Sequence, residues 1–142
     1  MLVFLGNPGL GKTYLCAAIY NYLYDQNPFK PRYWNERQLL TRVREGMDMQ
    51  GDYLGRMKFL IDDHFLILDD LGSSGINEWR NNTLFEVLDQ RYSSGLPTLI
   101  TSNLGKDEIY SQIGPRFHSR LFAKENTILE MNGVDLRSID IN

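Results

Sequence analysis

The sequence predicts an α/β fold: a three-layer sandwich in which helices cover both faces of a five-stranded parallel sheet. Two observations carry this. Short apolar runs closed by glycine or polar residues recur along the chain, and segments with helical spacing of apolar residues separate them. Strands that alternate with helices pair in parallel, and a parallel sheet needs cover on both faces. Ligands of such sheets bind beyond the carboxyl ends of the strands.

Leu2 to Leu5 (LVFL) is the first strand, closed by Gly6. Leu15, Ile19 and Leu23 recur every fourth residue, so a helix starts within the glycine loop and ends before Asn27-Pro28. Arg32-Tyr33-Trp34 is a short strand. Asn35 then caps a helix with Leu39, Leu40, Val43 and Met47 on one side, and a second short helix holds Tyr53 to Leu60. FLILDD, Phe65 to Asp70, is the clearest buried strand. A helix from Glu78 to Tyr92 follows, with Leu84, Val87, Leu88 and Tyr92 facing inward. Pro97 opens the strand TLITSN. Polar helices around Lys106 to Gln112 and Pro115 to Phe122 lead to a last strand, TILEM, from Thr127 to Met131.

Composition narrows the function classes. With 142 residues, 42% of them hydrophobic and 23% charged, the chain is long enough to bury one real core. A net charge of -3 argues against a broadly basic nucleic-acid-binding surface, though not against DNA held by a few arginines. The single cysteine, Cys16, forms no intrachain disulfide, which fits a reducing cytoplasm. No apolar run approaches the roughly 20 residues that span a bilayer, so a soluble protein is expected.

GNPGLGKT, Gly6 to Thr13, matches the phosphate-binding pattern G-x-x-x-x-G-K-[ST] in the strand–loop–helix setting that the pattern requires. Gly6, Gly9 and Gly11 let several backbone N–H groups face one concavity, and the following helix N-terminus adds partial positive charge. Lys12 is placed for the β- and γ-phosphates of a nucleotide and Thr13 for Mg²⁺. Asn7, Pro8, Leu10 and Tyr14 complete the candidate nucleotide-binding segment.

FLILDD delivers Asp69 to the end of a buried strand, where it can hold Mg²⁺ through water with Thr13 as co-ligand. Asp70 can polarise an attacking water as general base. The alternative is two solvated acids opening a turn before Gly72. Asp62 and Asp63 precede the strand and read as a solvated turn or cap. Asn103, ending TLITSN, can orient a water between Asp70 and phosphorus, or belong to an ordinary turn. In GPRFHSRLF, Arg116 and Arg120 share one helix face beside the apolar Phe117 and Leu121, at the margin of the core. They form a solvated basic face or an arginine finger for the γ-phosphate of a neighbouring subunit. Arg137, in GVDLR, is a candidate phosphate sensor.

GNPGLGKT, FLILDDLG and LPTLITSNL, in this order, resemble the Walker A, Walker B and sensor 1 motifs of AAA+ ATPases, a class of P-loop NTPases. GKTYLCAAI, the Asp-Asp strand end, EW before a helix ending in QRY, and R-x-x-x-R-L at Arg116 to Leu121 narrow the resemblance. They are similar to the DnaC/DnaI/IstB group of helicase loaders and transposition helper ATPases, from Leu2 to about Arg137. The resemblance implies Walker A roles for Lys12 and Thr13, the Mg²⁺ residue in Asp69 and the water-activating acid in Asp70. It makes Asn103 sensor 1, Arg120 or Arg116 the finger acting in trans, and Arg137 sensor 2. It implies ATP/ADP and Mg²⁺ as cofactors, self-assembly into an ATP-dependent ring or spiral, and a replicative helicase or a transposase as partner. DNA, expected to be single-stranded, would lie in the channel, against Arg37 and Arg44 of the helix NERQLLTRVREGM; those arginines also read as a solvated helix face. A cytoplasmic protein of bacterial or phage origin follows, with no membrane partner.

The sequence also departs from that group. Loaders carry a partner-binding domain before the ATPase core, so residues 1–142 are expected to form the core with that domain absent. The segment that packs on adenine lies upstream of the first strand in the family, which leaves base recognition incomplete. Asp70 stands where many AAA+ proteins have glutamate, and its shorter reach is expected to slow hydrolysis. The short stretch after Arg137 predicts a helical lid that is minimal or absent. The leading expectation is an ATPase that assists loading of a replicative helicase onto DNA, with an IstB-like transposition helper as the alternative. A small-molecule P-loop kinase and a nucleotide-gated binding module with negligible turnover are the other readings.

Overall fold

The computed structural model describes residues 1–26, 28–48 and 53–138. Strand β1 (Leu2–Leu5) feeds the glycine loop and helix α1 (Lys12–Gln26). Strand β2 (Arg32–Asn35) runs directly into α2 (Glu36–Asp48), and α3 (Tyr53–Asp62) precedes β3 (Leu66–Leu71). The alternation continues through α4 (Glu78–Ser93), β4 (Thr98–Ser102), α5 (Lys106–Gln112), α6 (Pro115–Leu121) and β5 (Thr127–Glu130), ending in the 3-10 turn Leu136–Ser138. All strand pairings are parallel, in the spatial order β2-β3-β4-β1-β5. The α/β sandwich expected from the alternation is the one observed, and it sets the carboxyl ends of β1, β4 and β3 side by side.

Side-chain alternation sorts the core into two layers. Val3, Leu5, Leu66, Leu68 and Ile100 point toward α2–α6 and pack with Leu39, Val43, Leu84, Val87, Leu88, Ile109 and Phe117. Phe4, Ile67 and Leu99 point the other way, onto Cys16, Ile19 and Tyr20 of α1. Among the described residues, α1 alone supplies helical cover on that second face. A fully buried leucine or isoleucine contributes about 1.5–3 kcal/mol, so the first layer supplies most of the cohesion.

The helix starts follow local chemistry. The Asn35 side chain accepts the Gln38 N–H at 2.9 Å while Gln38 Oε1 accepts the Asn35 N–H at 3.4 Å, a reciprocal cap on α2. Asn77 caps α4 by accepting the Arg80 N–H at 2.9 Å.

The structure corrects several details of packing. The stripe of α1 is rotated from the one that Leu15 suggests: Cys16 is fully buried and Leu15 is exposed, because Lys12 and Cys16 fix the inward line. In α4 the inward position belongs to Arg91, wholly buried, and Tyr92 lies at the margin. The Arg91 guanidinium donates to the Leu60, Ile61, Asp63 and Pro97 carbonyls and to Thr98 Oγ1, closing the C-terminal end of α3. Burial lowers its pKa to about 10. Of the acidic pair, Asp62 ends α3, whereas Asp63 is partly buried and pairs with Arg32 at 3.3 Å. Asp63 is thus a structural contact rather than a solvated turn. Asn27 and the side chain of Met47 lie outside the described residues.

Strand β3 breaks its ladder near the end. Leu68 pairs with Ile100 but Leu71 with Ser102, so β3 carries one residue more than β4 between these points. Asp70 sits within this bulge at φ +60°. Bulges re-aim side chains, and a left-handed aspartate costs about 1–3 kcal/mol that its surroundings must offset.

Candidate functional site

The glycine loop curls as its pattern requires, with positive φ at Gly6, Gly9 and Gly11. Gly9 is constrained twice over. Its φ of +82° disfavours a side chain, and a Cβ there would stand 1.9 Å from an Asp135 carboxylate oxygen. The Leu136 N–H donates to the Gly9 carbonyl at 2.9 Å, which lays the 3-10 turn on the loop and brings Arg137 to its rim. Lys12, 6% exposed, donates to the Gly6 and Asn7 carbonyls at 2.5 and 2.7 Å. Burial lowers its pKa, against the opposing charges of Asp70 and Asp69.

A cavity of about 540 Å³ opens between this loop and the ends of β3 and β4, a size that suits a nucleotide. Asp69 stands in its wall as an acceptor for three hydroxyls. Thr13 Oγ1 and the Tyr33 hydroxyl donate to Asp69 Oδ2 at 2.9 and 2.6 Å, and Thr101 Oγ1 donates to Oδ1 at 2.5 Å. Burial and the bond to Asp69 push the Tyr33 phenol well above its usual pKa. Asp69 and Thr13 thus offer adjacent hard oxygens beside the phosphate loop. That donor set fits Mg²⁺, which takes one or two protein oxygens and fills its shell with phosphate and water.

Asp70 follows with a different environment. Its N–H donates to Thr101 Oγ1 at 2.9 Å, and its Oδ1 accepts from Asn103 Nδ2 at 2.9 Å. Burial, with the nearby charges of Asp69 and Glu36, raises the carboxyl pKa while Lys12 opposes the rise. Thr101 therefore ties the two acids together, and Asn103 holds the second one at the cavity.

Pro8, Gly9, Gly11, Lys12, Thr13 and Tyr14 line the cavity together with Asp69, Asp70, Asn103 and Arg137. Tyr14 is 81% exposed at its mouth. Gly6, Asn7 and Leu10 do not line it: Gly6 and Asn7 contribute their carbonyls to Lys12, and the Leu10 side chain lies near Gly6 and Gly133. Arg116 and Arg120 lie outside the cavity. The Arg120 guanidinium pairs with Asp89 and lies over the Tyr92 ring, and Arg116 lies over the Phe85 ring at 4.1 Å. Arg37 and Arg44 line a separate groove of about 350 Å³, where Arg44 lies over the Trp79 ring.

Sequence reasoning missed Tyr33 and Thr101. Thr101 carried a signal, a hydroxyl directly after the apolar Leu99-Ile100 pair of its strand. Tyr33 carried little, because its partner is 36 residues away on a neighbouring strand.

The sequence profile of IstB-like ATP binding proteins matches residues 1–116. The chain belongs to that family. This IstB-like chain is 28% identical over 121 residues to the replicative helicase loader DnaI of Bacillus subtilis, covering 81% of the chain and 38% of the relative. It is also 28% identical over 102 residues to the putative ATP-binding protein of insertion sequence IS5376 from Geobacillus stearothermophilus, covering 72% of the chain and 39% of that protein. A crystal structure of the DnaC helicase loader superposes with a TM-score of 0.82 at 26% identity, over 92% of this chain and 77% of that one. The IstB-like chain thus spans less than two fifths of the length of these curated relatives. Arg120 and Arg137 fall beyond the matched family segment. No helix among the described residues is long and apolar enough to cross a membrane.

Proposed function

We propose that this chain is a Mg²⁺-dependent ATPase of the helicase-loader type, which uses ATP to assist placement of a replicative helicase on DNA. The observation that carries the reading is the bonded series Thr13–Asp69–Thr101–Asp70–Asn103 at the mouth of the phosphate loop. Lys12 and the loop N–H groups bind the phosphates, and Thr13 with Asp69 would hold Mg²⁺, which would supply charge screening there. Asp70 accepts the proton of the attacking water, which Asn103 orients. Arg137, which lines the cavity from the 3-10 turn while paired with Asp135 at 2.7 Å, meets the phosphates on leaving that partner. In trans, Arg116 or Arg120 completes the site of a neighbouring copy within a ring or spiral; for Arg120 this means leaving Asp89. The similarity to DnaI and DnaC supports a helicase as partner, and the groove with Arg37, Arg44 and Trp79 suits the backbone and bases of single-stranded DNA. A cytoplasmic location accords with these roles.

A second reading, an ATPase that assists a transposase, is favoured by the family profile and the insertion-sequence relative. One experiment separates them. The Asp70→Asn variant, loaded with ATP and Mg²⁺, is used to retrieve partners from a native lysate. Recovery of the helicase supports the first reading, and recovery of a transposase without helicase supports the second. The hydrolysis half is tested by phosphate release: wild type turns over, and Asp70→Asn binds ATP but falls at least about 100-fold in rate. Equal rates in the two proteins refute the role of Asp70.

A further inference from the structure

Glu36 opens α2 and is wholly buried, as is Arg80 in the first turn of α4. The guanidinium meets the carboxylate twice, Nε to Oε1 at 2.8 Å and Nη2 to Oε2 at 3.1 Å. Neither residue lines the nucleotide cavity. Buried ion pairs add little net stability, since desolvation offsets their attraction, so this one calls for another explanation.

The remaining bonds of Glu36 supply it. Its two oxygens also accept the Gly72 N–H at 2.5 Å and the Ser74 N–H at 3.2 Å. Those amides belong to the turn that leaves β3, and Gly72 is two residues past Asp70. The turn is held elsewhere as well: Ser102 Oγ donates to the Leu71 carbonyl at 2.6 Å, and the Ser73 N–H donates to the Asp70 carbonyl at 3.2 Å. Gly72 lies at φ +96°, a left-handed conformation that favours glycine, with the Leu104 side chain packed where a Cβ would stand. Asp70, at φ +60°, keeps its strained backbone only where the chain on both sides is fixed. Thr101 fixes it from β4, and the Glu36 carboxylate fixes what comes after it.

We propose that Glu36, oriented by Arg80, is a positioning residue for hydrolysis, clamping the turn at 71–74 so that the Asp70 carboxylate faces the cavity. A carboxylate suits the task because it can receive two amides and both arms of a guanidinium at once. The inference rests on the reading of Asp70 as the hydrolytic acid, and it adds two residues that never touch the nucleotide.

The test compares wild type with Glu36→Gln, which keeps the shape and removes the charge, and with Glu36→Gln/Arg80→Met, which also removes the cation left without a partner. Steady-state phosphate release gives kcat and KM, binding of a fluorescent ATP analogue gives affinity, and melting gives the folded fraction. Glu36→Gln should lower kcat between about 10- and 100-fold while KM and analogue affinity change by no more than about twofold. The double variant should regain the melting temperature lost in the single one without regaining kcat. A Glu36→Gln kcat within about twofold of wild type overturns the proposal, as does recovery of kcat together with stability in the double variant. A wild type that binds ATP but releases no phosphate refutes the hydrolysis reading instead. The clamp is then read by amide hydrogen exchange. Glu36→Gln should speed exchange at Gly72 and Ser74 and leave the Val3 and Ile100 amides protected; unchanged exchange at Gly72 and Ser74 refutes the clamp.

Discussion

Thr101→Val is the sharpest probe of the site, because valine matches threonine in shape and removes only the hydroxyl. That hydroxyl, on a residue 1% exposed, donates to Asp69 Oδ1 and accepts the Asp70 N–H at 2.9 Å. Losing a hydrogen bond to a charged group costs about 1.5–3 kcal/mol, and stranding a buried amide about 1–3 kcal/mol. Asp69 keeps its bonds from Thr13 and Tyr33, which limits the first loss. The net destabilisation is therefore about 2–4 kcal/mol, or on the order of 10 °C in melting temperature for a chain of this size. Urea denaturation of wild type, Thr101→Val and the control Thr101→Ser measures it, with serine retaining most of the stability. Hydrolysis should fall more steeply than stability alone explains, because the left-handed Asp70 loses its anchor on β4. A valine variant within about 0.5 kcal/mol of wild type would refute the argument that Thr101 ties the two acids.

Other perturbations address separate parts of the structure. Tyr33→Phe removes one of three hydroxyls on Asp69 and should raise the Mg²⁺ concentration needed for tight ATP binding several-fold, read by calorimetry across a Mg²⁺ series; unchanged Mg²⁺ dependence counts against the contact. Gly9→Ala, which forces a side chain into the Asp135 carboxylate, should weaken ATP binding by at least about tenfold, and wild-type affinity would contradict the loop geometry. Arg91→Met leaves four carbonyls and the Thr98 hydroxyl without their donor and should cost about 3–5 kcal/mol in denaturant, with ATP affinity preserved in the folded fraction. A loss below about 1 kcal/mol would show that water replaces the guanidinium.

The central strands β1, β3 and β4 were legible because each centres on a short apolar run near a breaker, and β1 and α5 match their expected bounds. That the glycine loop, Asp69, Asp70 and Asn103 meet at one cavity was legible because each ends a strand or opens a helix in a recognisable sequence pattern. The buried cations were not. Spacing rules place arginine outside, nothing local marks Arg80 or Arg91 as buried, and the inward position that the spacing gives Tyr92 belongs to its neighbour Arg91. Glu36 reads as an ordinary acid at a helix start, favourable there for the helix dipole, and nothing local reveals that its acceptors serve a turn on another strand. The bulge was hidden for the same reason. Which residue a strand spends without a partner depends on the neighbouring strand, and Asp69-Asp70 looks the same with or without the slip.

The unequal cover of the sheet has a thermodynamic consequence. Among the described residues, α1 is the helical cover of one face, and its first turn carries Lys12 and Thr13. A nucleotide that engages this turn holds down the element on which that face depends, so occupancy and global unfolding become linked equilibria. Ligand at 100 times its Kd raises stability by about 2.7 kcal/mol, a large share of what a single domain possesses. Melting in the presence of ATP, ADP and GTP therefore ranks their affinities directly, with the fold itself as the indicator.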